Sequence, residues 1–297
     1  MDTCTGCGWR APDLHGSAAG GGRWPSATIP LHRVRDRGEV TSAIWLGVFA
    51  APVWIALLAY VVLMLRMPRG GLMATAFLVA IGFAVLARMA VEAFIHAFVK
   101  TNGVRVSETQ YPDLHAAAEN FSSRLGIRQP DVYVMQSSLW NAFAAKLAGR
   151  RVVVLLSGAV DSVIRGGRRE DLGFLLGHEL GHHALGHLDW AQRLLAPGSW
   201  FVPVAFWHRR RMELSCDRVA LACAGDLEVA TRAVVNMTVG SCLAAETDVG
   251  EAIRQWEQHR GEFFVKYRTV YSLHPHHLWR LAELKQAAIE LDVAFRR

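Results

Sequence analysis

The sequence predicts a mainly helical α+β protein with a small sheet, preceded by a transmembrane helical hairpin. Two long apolar runs without charges, at 43–65 and 71–87, stand near the N-terminus. Further along, short alternating segments predict strands, and longer runs of helical periodicity predict helices. The 297 residues suit one ordinary domain with appendages. We therefore expect a disordered cytoplasmic tail at 1–39, a hairpin at 40–99 and a folded domain at 100–297.

The first apolar run is long enough to cross a bilayer as a helix. Residues 43–65 carry no charge, and a helix rises about 1.5 Å per residue. The second run is near the lower length limit, but Arg88 can direct its charge to the interface and extend the span to about residue 90. About forty residues precede the first run, which argues against a cleaved signal peptide. Two buried helices of a soluble core remain the alternative.

The basic residues around the two runs predict how the hairpin is oriented. Excess Lys and Arg stay in the cytoplasm, so both ends of the hairpin, and the folded domain, are expected there. The net charge of +6 fits association with a membrane surface. We expect a multi-pass protein of the cell membrane that contacts the lipid bilayer and no nucleic acid. The basic residues are Arg10, Arg23, Arg33, Arg35 and Arg37 before the hairpin, Arg66 and Arg69 inside it, and Lys100 and Arg105 after it.

The N-terminal tail contains a cysteine pair of uncertain meaning. The chain has five cysteines, an odd number that fits a reducing compartment. Cys4 and Cys7 have the spacing of half a zinc ribbon, but no second pair follows nearby. Asp13 or His15 could complete a site. Residues 11–26 are rich in Gly, Ala, Ser and Pro, which favours a disordered tail.

The motif that carries most chemical information is His178-Glu179-Leu180-Gly181-His182. It lies in a run of helical periodicity that predicts a helix over 171–188. Residues four apart share one helix face, so His178 and His182 can bind one zinc ion between them. Glu179 can act as general base toward water at that metal. The glycines inside this helix predict that another element or a substrate approaches it closely.

A zinc site of this kind needs a third protein ligand. His187 is a poor third ligand, because it lies nine residues, or two and a half turns, after His178 and so points about 180° away from the pair. Glu213 and Asp217 are four apart on a second predicted helix, and one can bind the metal while the other orients a ligand histidine. We favour Glu213 as the ligand. Cys216 lies nearby and is either a packing residue or a competing soft ligand.

The ordered set of motifs resembles the M48 family of membrane-associated zinc metallopeptidases over roughly residues 100 to 285. The matching elements are the edge strand at 141–144 with the strand after it, the His-Glu-x-x-His motif, a Glu-x-x-x-Asp motif, and a His-Pro element followed by an arginine. In this sequence the last two are Glu213 to Asp217 and His274-Pro275 with Arg280. The resemblance implies a gluzincin-like peptidase domain with one zinc ion per chain.

The resemblance also assigns a role to each residue. His178, His182 and Glu213 would bind zinc, Glu179 would be the general base and Asp217 would support a ligand histidine. His274 and Arg280 would have a catalytic role, stabilising the oxyanion or shaping the cleft. An open sheet edge would pair with the extended backbone of a protein or peptide substrate, as is common in peptide recognition. Its residues are Asn141, Ala142, Phe143 and Ala144.

The segment 194–207 departs from the pattern of the family, which places further transmembrane helices between the zinc helix and the helix of Glu213. It is apolar and aromatic, but Pro197, Gly198 and Pro203 interrupt it. We expect a loop at the membrane interface or along the cleft, with a core-packing loop as the alternative.

The function expected from the sequence is membrane-anchored, zinc-dependent endoproteolysis, with a role in membrane-protein quality control. Two alternatives remain open. One is a zinc-binding membrane scaffold that does not cut, although Glu179 would be unnecessary for that task. The other is a processing protease of narrow specificity. The sequence does not name a substrate.

Overall fold

The computed structural model describes residues 27–68, 70–137, 142–147, 149–160 and 171–292. In these ranges the chain is mainly helical with one four-stranded sheet. The helices are α1 Leu31–Val34, α2 Arg37–Arg66, α3 Gly70–Asn102, α4 Pro112–Arg124, α5 Asp171–Ala184, α6 Trp190–Leu194, a 3₁₀ helix Ala196–Trp200, α7 Val202–Ala224, α8 Leu227–Val239, α9 Ser241–Ala244, α10 Val249–His259, α11 Phe263–Val270 and α12 His277–Leu291. The strands are β1 Gly103–Arg105, β2 Asp131–Met135, β3 Ala142–Leu147 and β4 Arg150–Leu156.

Helices α2 and α3 confirm the predicted pair of apolar helices. Both are long and apolar enough to cross a membrane, and only 11% and 6% of their most apolar windows is buried. Helices of a soluble core would be covered by protein, so this exposure argues against the alternative drawn from the sequence. Pro52 lies within α2 without ending it, as membrane helices tolerate.

The end of the predicted tail is folded, which differs from the expectation of disorder up to residue 39. Ile29 and Val34 are buried in the main core, and Val34 is the last residue of the short helix α1, which precedes α2. The backbone N–H of Ile29 donates to the carbonyl of Arg124 on the facing helix. Two apolar side chains and this backbone bond are enough to hold a short segment that composition alone assigns to the tail. Residues 1–26, including Cys4 and Cys7, lie outside the described ranges.

The sheet has the order β1-β2-β4-β3, with β2 and β4 parallel and the other two pairs antiparallel. Successive residues of a strand point to opposite faces, and β4 shows this clearly. Val153 and Leu155 join the core below α4 and α5, whereas Val152 and Val154 join a second cluster with Val99 at the end of α3. The apolar helix α3 therefore continues into the folded domain and packs on the sheet.

Helices α5 and α7 cross at very close range, because glycines of α5 face small residues of α7. A Cβ atom added at Gly177 would lie 3.0 Å from Ala220 Cα, and one at Gly181 would lie 3.2 Å from Cys216 Cα. The expectation that these glycines admit another element is therefore confirmed. The crossing brings His178 and His182 of α5 beside Glu213 and Asp217 of α7.

The segment 194–207 is more regular than the predicted loop. It consists of the 3₁₀ helix and the first turns of α7, with Pro197 and Pro203 in the opening positions that proline tolerates. Gly198 packs on α2 so closely that an added Cβ would come within 2.2 Å of the Leu46 carbonyl oxygen. The prolines thus begin helical turns here, where the sequence suggested only interruption.

The close helix crossing generates a prediction about stability. Gly177→Val is expected to destabilise the protein by about 1–3 kcal/mol, because the new methyl groups cannot fit against α7. The effect is measured as the midpoint of thermal unfolding in detergent. Gly82→Val is the matched control, since Gly82 is also inside a helix and has nothing within 4 Å of an added Cβ. Equal midpoints for the two variants would show that the crossing is not tight.

Candidate metal centre

Four side chains from the crossing helices form a buried polar cluster. His178 Nε2 lies 3.3 Å from one carboxylate oxygen of Glu213, and His182 Nε2 lies 3.7 Å from the other. Asp217 is at the opposite side of His178, with 2.9 Å between Oδ1 and Nδ1. His182 and Glu213 are the more exposed members, at 16% and 17%, and they mark the side open to solvent.

Arg280 lies behind Asp217 and holds it from α12. Its Nε donates to Asp217 Oδ2 at 2.7 Å and its Nη2 to Oδ1 at 2.6 Å, a bidentate pair that is buried on both sides. Burial raises the pKa of Asp217, but the Arg280 charge and its hydrogen bonds outweigh that and hold the pKa below its ordinary value. Asp217 is therefore a fixed carboxylate that accepts a hydrogen bond from His178.

His187 lies beside the site, contrary to the prediction that it points away. Helix α5 ends at Ala184, and Gly186 turns the chain back with a φ of 76°. His187 Nδ1 then lies 3.1 Å from His182 Nδ1. A helix that continued to Leu188 would direct His187 away from the site, but a glycine in the left-handed conformation is a common way for a helix to end earlier.

Glu179 faces the free edge of the sheet. It is buried, and the backbone N–H of Ala144 in β3 donates to its carboxylate. Burial raises the pKa of Glu179 to about 7, with the positive charge at His178 opposing the rise. A carboxyl group whose pKa lies near neutrality suits general acid–base chemistry, because it can accept and return a proton at little cost.

The donor set fits a zinc ion. Two atoms that bind one tetrahedral zinc at about 2.1 Å lie about 3.4 Å apart, close to the observed separations between the Nε2 atoms and the Glu213 oxygens. Burial lowers the pKa of His182 to about 3, so its ring is neutral and offers a lone pair. Although burial opposes it, hydrogen bonds to Asp217 and Glu213 raise the pKa of His178 to about 10. The two carboxylates thus favour a positive charge at His178, as they would favour a bound cation.

Cys216 provides an alternative third donor. Its Sγ, one ring nitrogen of His178 and one of His182 lie within 4.8 Å of one another. However, Sγ also lies 3.5 Å from His187 Nδ1, the nitrogen that faces His182 Nδ1. Burial raises the pKa of the thiol well above its ordinary value, which disfavours the thiolate that metals prefer. We favour Glu213, because both Nε2 atoms face its carboxylate.

The remaining residues suggested by the sequence have different positions. His274 lies at the exposed rim, with Nδ1 3.4 Å from Glu213 Oε2, and this contact raises its pKa. Arg280 directs Nε and Nη2 to Asp217, and its Nη1 contacts the Met237 sulfur, so its geometry differs from the expected contact with a reacting oxyanion. In β3, Ala142 is buried and Phe143 is partly exposed, while Asn141 lies outside the described ranges.

Sequence reasoning missed one contributor entirely, Glu39 in the first turn of α2. It is 1% exposed, and its Oε1 lies 3.2 Å from His187 Nε2. A signal was present, because an acidic residue just ahead of a long apolar run is costly to bury unless it has a partner. The partner is nearly 150 residues away along the chain, so no local pattern points to it.

Residues 108–196 match the model of Peptidase family M48, a range that includes both histidines and ends before Glu213. The chain is 30% identical to the Plastoglobule-localized metallopeptidase 48, chloroplastic, of Arabidopsis thaliana over 46% of this chain and 43% of that protein. It is 31% identical to the Protease HtpX homolog of Thermoplasma acidophilum over 35% of this chain and 31% of that protein.

The chain spans less than half the length of these curated relatives, and no solved structure matches it. Both relatives are named as peptidases, and the matched range contains the histidine pair and the general-base candidate. The expected resemblance to the M48 family of metallopeptidases is thereby confirmed over residues 108–196.

Proposed function

We propose that this protein is a membrane-anchored, zinc-dependent endopeptidase. The observation that supports this most strongly is the placement of Glu179 between the candidate metal ligands and the free edge of β3. His178, His182 and Glu213 would hold the metal, leaving one position open as catalytic zinc sites do. When bound, zinc supplies a Lewis acid that polarises a carbonyl group and acidifies water.

The residues of the chain then perform the proton transfers. The Glu179 carboxylate takes a proton from the attacking water and returns it to the leaving amine. Its pKa of about 7 serves both steps, because neither protonation state is strongly preferred near neutrality. Asp217 keeps Nδ1 of His178 protonated, so that Nε2 carries the lone pair for the metal. His274 at the rim is placed to contact a substrate or the developing oxyanion.

The free edge of β3 would bind the substrate. On the described sheet, β3 pairs with β4 on one side only. Alternate residues of a strand direct their backbone groups to the same edge, and Ala144 directs its N–H toward Glu179. Ala142 and Lys146 share that direction. An extended peptide paired with this edge would therefore run past the general base.

The membrane would lie close to this cleft. The indole of Trp54 in α2 donates to the Leu194 carbonyl at 2.8 Å, and Phe49 stacks on Phe201 at 4.4 Å. Trp200, on the same segment, is 80% exposed, as suits a residue at the lipid interface. From there α7 rises about 17 Å to Glu213. We propose that the domain lies on the cytoplasmic side and cuts membrane proteins near the bilayer, in quality control.

Removing the general base tests catalysis directly. Glu179→Gln is expected to lower proteolysis of casein by about 10²-fold or more while zinc stays bound, because the amide cannot accept the proton. Initial rates and zinc content of the detergent-purified chain are measured together. Equal rates would identify a contaminant or a different active site. Zinc binding without cleavage by the wild type would favour the scaffold or the narrow-specificity protease.

The identity of the third ligand can be tested with two neighbouring variants on α7. Glu213→Gln is expected to weaken zinc binding by more than tenfold, because a carboxylate that faces both Nε2 atoms is lost. Cys216→Ser keeps the volume at the helix crossing and should change the affinity less than threefold. Competition with a chelator gives both values. The reverse order of effects would assign the ligand role to Cys216.

A nearby membrane predicts a preference for tethered substrates. In reconstituted vesicles, an unfolded reporter anchored to lipid through a short linker should be cut faster than the same reporter in solution, because the tether raises its local concentration. Dissolving the vesicles in detergent removes this difference and serves as the control. Faster cleavage of the free reporter would place the cleft away from the bilayer.

A further inference from the structure

Glu39 and His187 form a buried pair that the proposed mechanism does not use. The side chain of His187 is fully buried, and that of Glu39 is 1% exposed. They come from different parts of the fold, since Glu39 lies in the first turn of the apolar helix α2 and His187 follows the end of α5. Burying a carboxylate and an imidazole is costly unless each has a defined partner.

The contacts of this pair lead directly to a candidate zinc ligand. His182 Nδ1 lies 3.1 Å from His187 Nδ1, and His187 Nε2 lies 3.2 Å from Glu39 Oε1. Cys216 Sγ also approaches His187 Nδ1, at 3.5 Å. On its far side, Glu39 is paired with Arg35 through Oε1 at 2.5 Å.

The protons can be placed along these contacts in one consistent way. A metal on His182 Nε2 requires the lone pair there, so the ring proton is on Nδ1. That N–H donates to Nδ1 of His187, whose own proton is then on Nε2 and is donated to Glu39. Each donor meets an acceptor, and the line ends on a carboxylate with an arginine beside it.

The two candidate zinc histidines are therefore supported in parallel. Behind His178, Asp217 accepts directly and is held by Arg280. Behind His182, the carboxylate acts through one more imidazole and is held by Arg35. A carboxylate behind a ligand histidine fixes the orientation of its ring and makes the ring a better donor. In both arrangements a histidine is followed by a carboxylate and then by an arginine, but in the second the carboxylate is on α2.

Arg35 also connects this arrangement to the turn after α5. Its Nη2 donates to the carbonyl of Leu185 at 2.7 Å, within the turn that brings His187 back to the site. The start of α2 thus fixes both the ring of His187 and the backbone that carries it. If these residues served only to fill space, neither the charge of Glu39 nor the alignment of the His182 and His187 ring nitrogens would be required.

We propose that Glu39 and His187 are positioning residues that orient His182 for zinc, and so link the metal site to the first apolar helix. This inference rests on the proposed zinc-binding function. It goes beyond that function by assigning part of the metal site to a segment outside the range that matches the family model.

The test measures zinc affinity in the detergent-purified full chain by chelator competition. His187→Phe is expected to weaken zinc binding by about 10–100-fold, the range for loss of such a support. Asp217→Asn should fall in the same range and shows that the assay detects such an effect. Glu39→Gln keeps the shape and an acceptor but loses the charge, so a smaller loss of about three- to tenfold is expected.

Ser42→Ala is the matched control for packing of α2. Ser42 is one turn after Glu39 and fully buried; its hydroxyl donates to the backbone carbonyl of Glu39 at 2.9 Å and contacts His208 Nδ1 on α7 at 3.0 Å. Among the described residues, its side chain makes no hydrogen bond to His187 or His182 or to the carboxylate of Glu39. This variant should bind zinc within twofold of the wild type. The midpoints of thermal unfolding of all zinc-free variants show how far each affects packing.

A double variant separates positioning from a general structural effect. If Glu39 acts through His187, Glu39→Gln should cause no further loss of affinity in the His187→Phe background. The inference would be overturned if the losses of zinc affinity in Glu39→Gln and His187→Phe were fully additive in the double variant. It would also be overturned if both single variants bound zinc as tightly as Ser42→Ala. Should His187→Phe not fold, a wild-type affinity for the isosteric Glu39→Gln would overturn it alone. If the wild type binds no zinc, the proposed function is overturned as well. If zinc affinity falls only in Asp217→Asn, this inference is overturned and the proposed function stands.

Discussion

The close crossing of α5 and α7 is the contact on which the rest of the site depends. Gly177 and Gly181 allow α7 to approach until its backbone would touch an added Cβ atom. At that separation Glu213 lies close to both His178 and His182, and Asp217 contacts His178. The candidate metal ligands are therefore carried by two rigid helices, which favours their precise positioning, and only supporting residues such as His187 come from turns.

Burial then determines how the cluster distributes its charge. A buried imidazole favours the neutral form, and a buried carboxyl group favours the protonated form, unless a neighbour reverses the preference. His182 has no reversing neighbour strong enough and remains neutral, while His178 lies between two carboxylates and is drawn to the charged form. Glu179 is buried with fewer partners, so its pKa rises toward the range useful for proton transfer. His178, Glu179 and His182 thus differ in their preferred protonation states although all three lie on α5.

The sequence revealed the parts of this structure that depend on local periodicity. The two apolar helices, the helix of the histidine motif and most of β2 to β4 follow from spacing alone, because burial on one face repeats with the period of the element. His187 was misplaced, since a single glycine conformation after Ala184 ends the helix early. Glu39 was missed, because its partner is brought to it only by tertiary packing. Arg280 was found by resemblance, but its contact with Asp217 needed the structure.

These last three residues share a property that explains why they were difficult to find. None is itself a candidate zinc ligand: His187 contacts the candidate ligand His182, Glu39 contacts His187, and Arg280 contacts Asp217. The supports also come from both ends of the chain, Arg280 from the last described helix and Glu39 from the first apolar one. This arrangement of side chains is complete only when α2 and α12 have both packed against the α5–α7 pair. If the cluster binds zinc as we propose, formation of the metal site is coupled to placement of the apolar helix α2, and through it to the membrane.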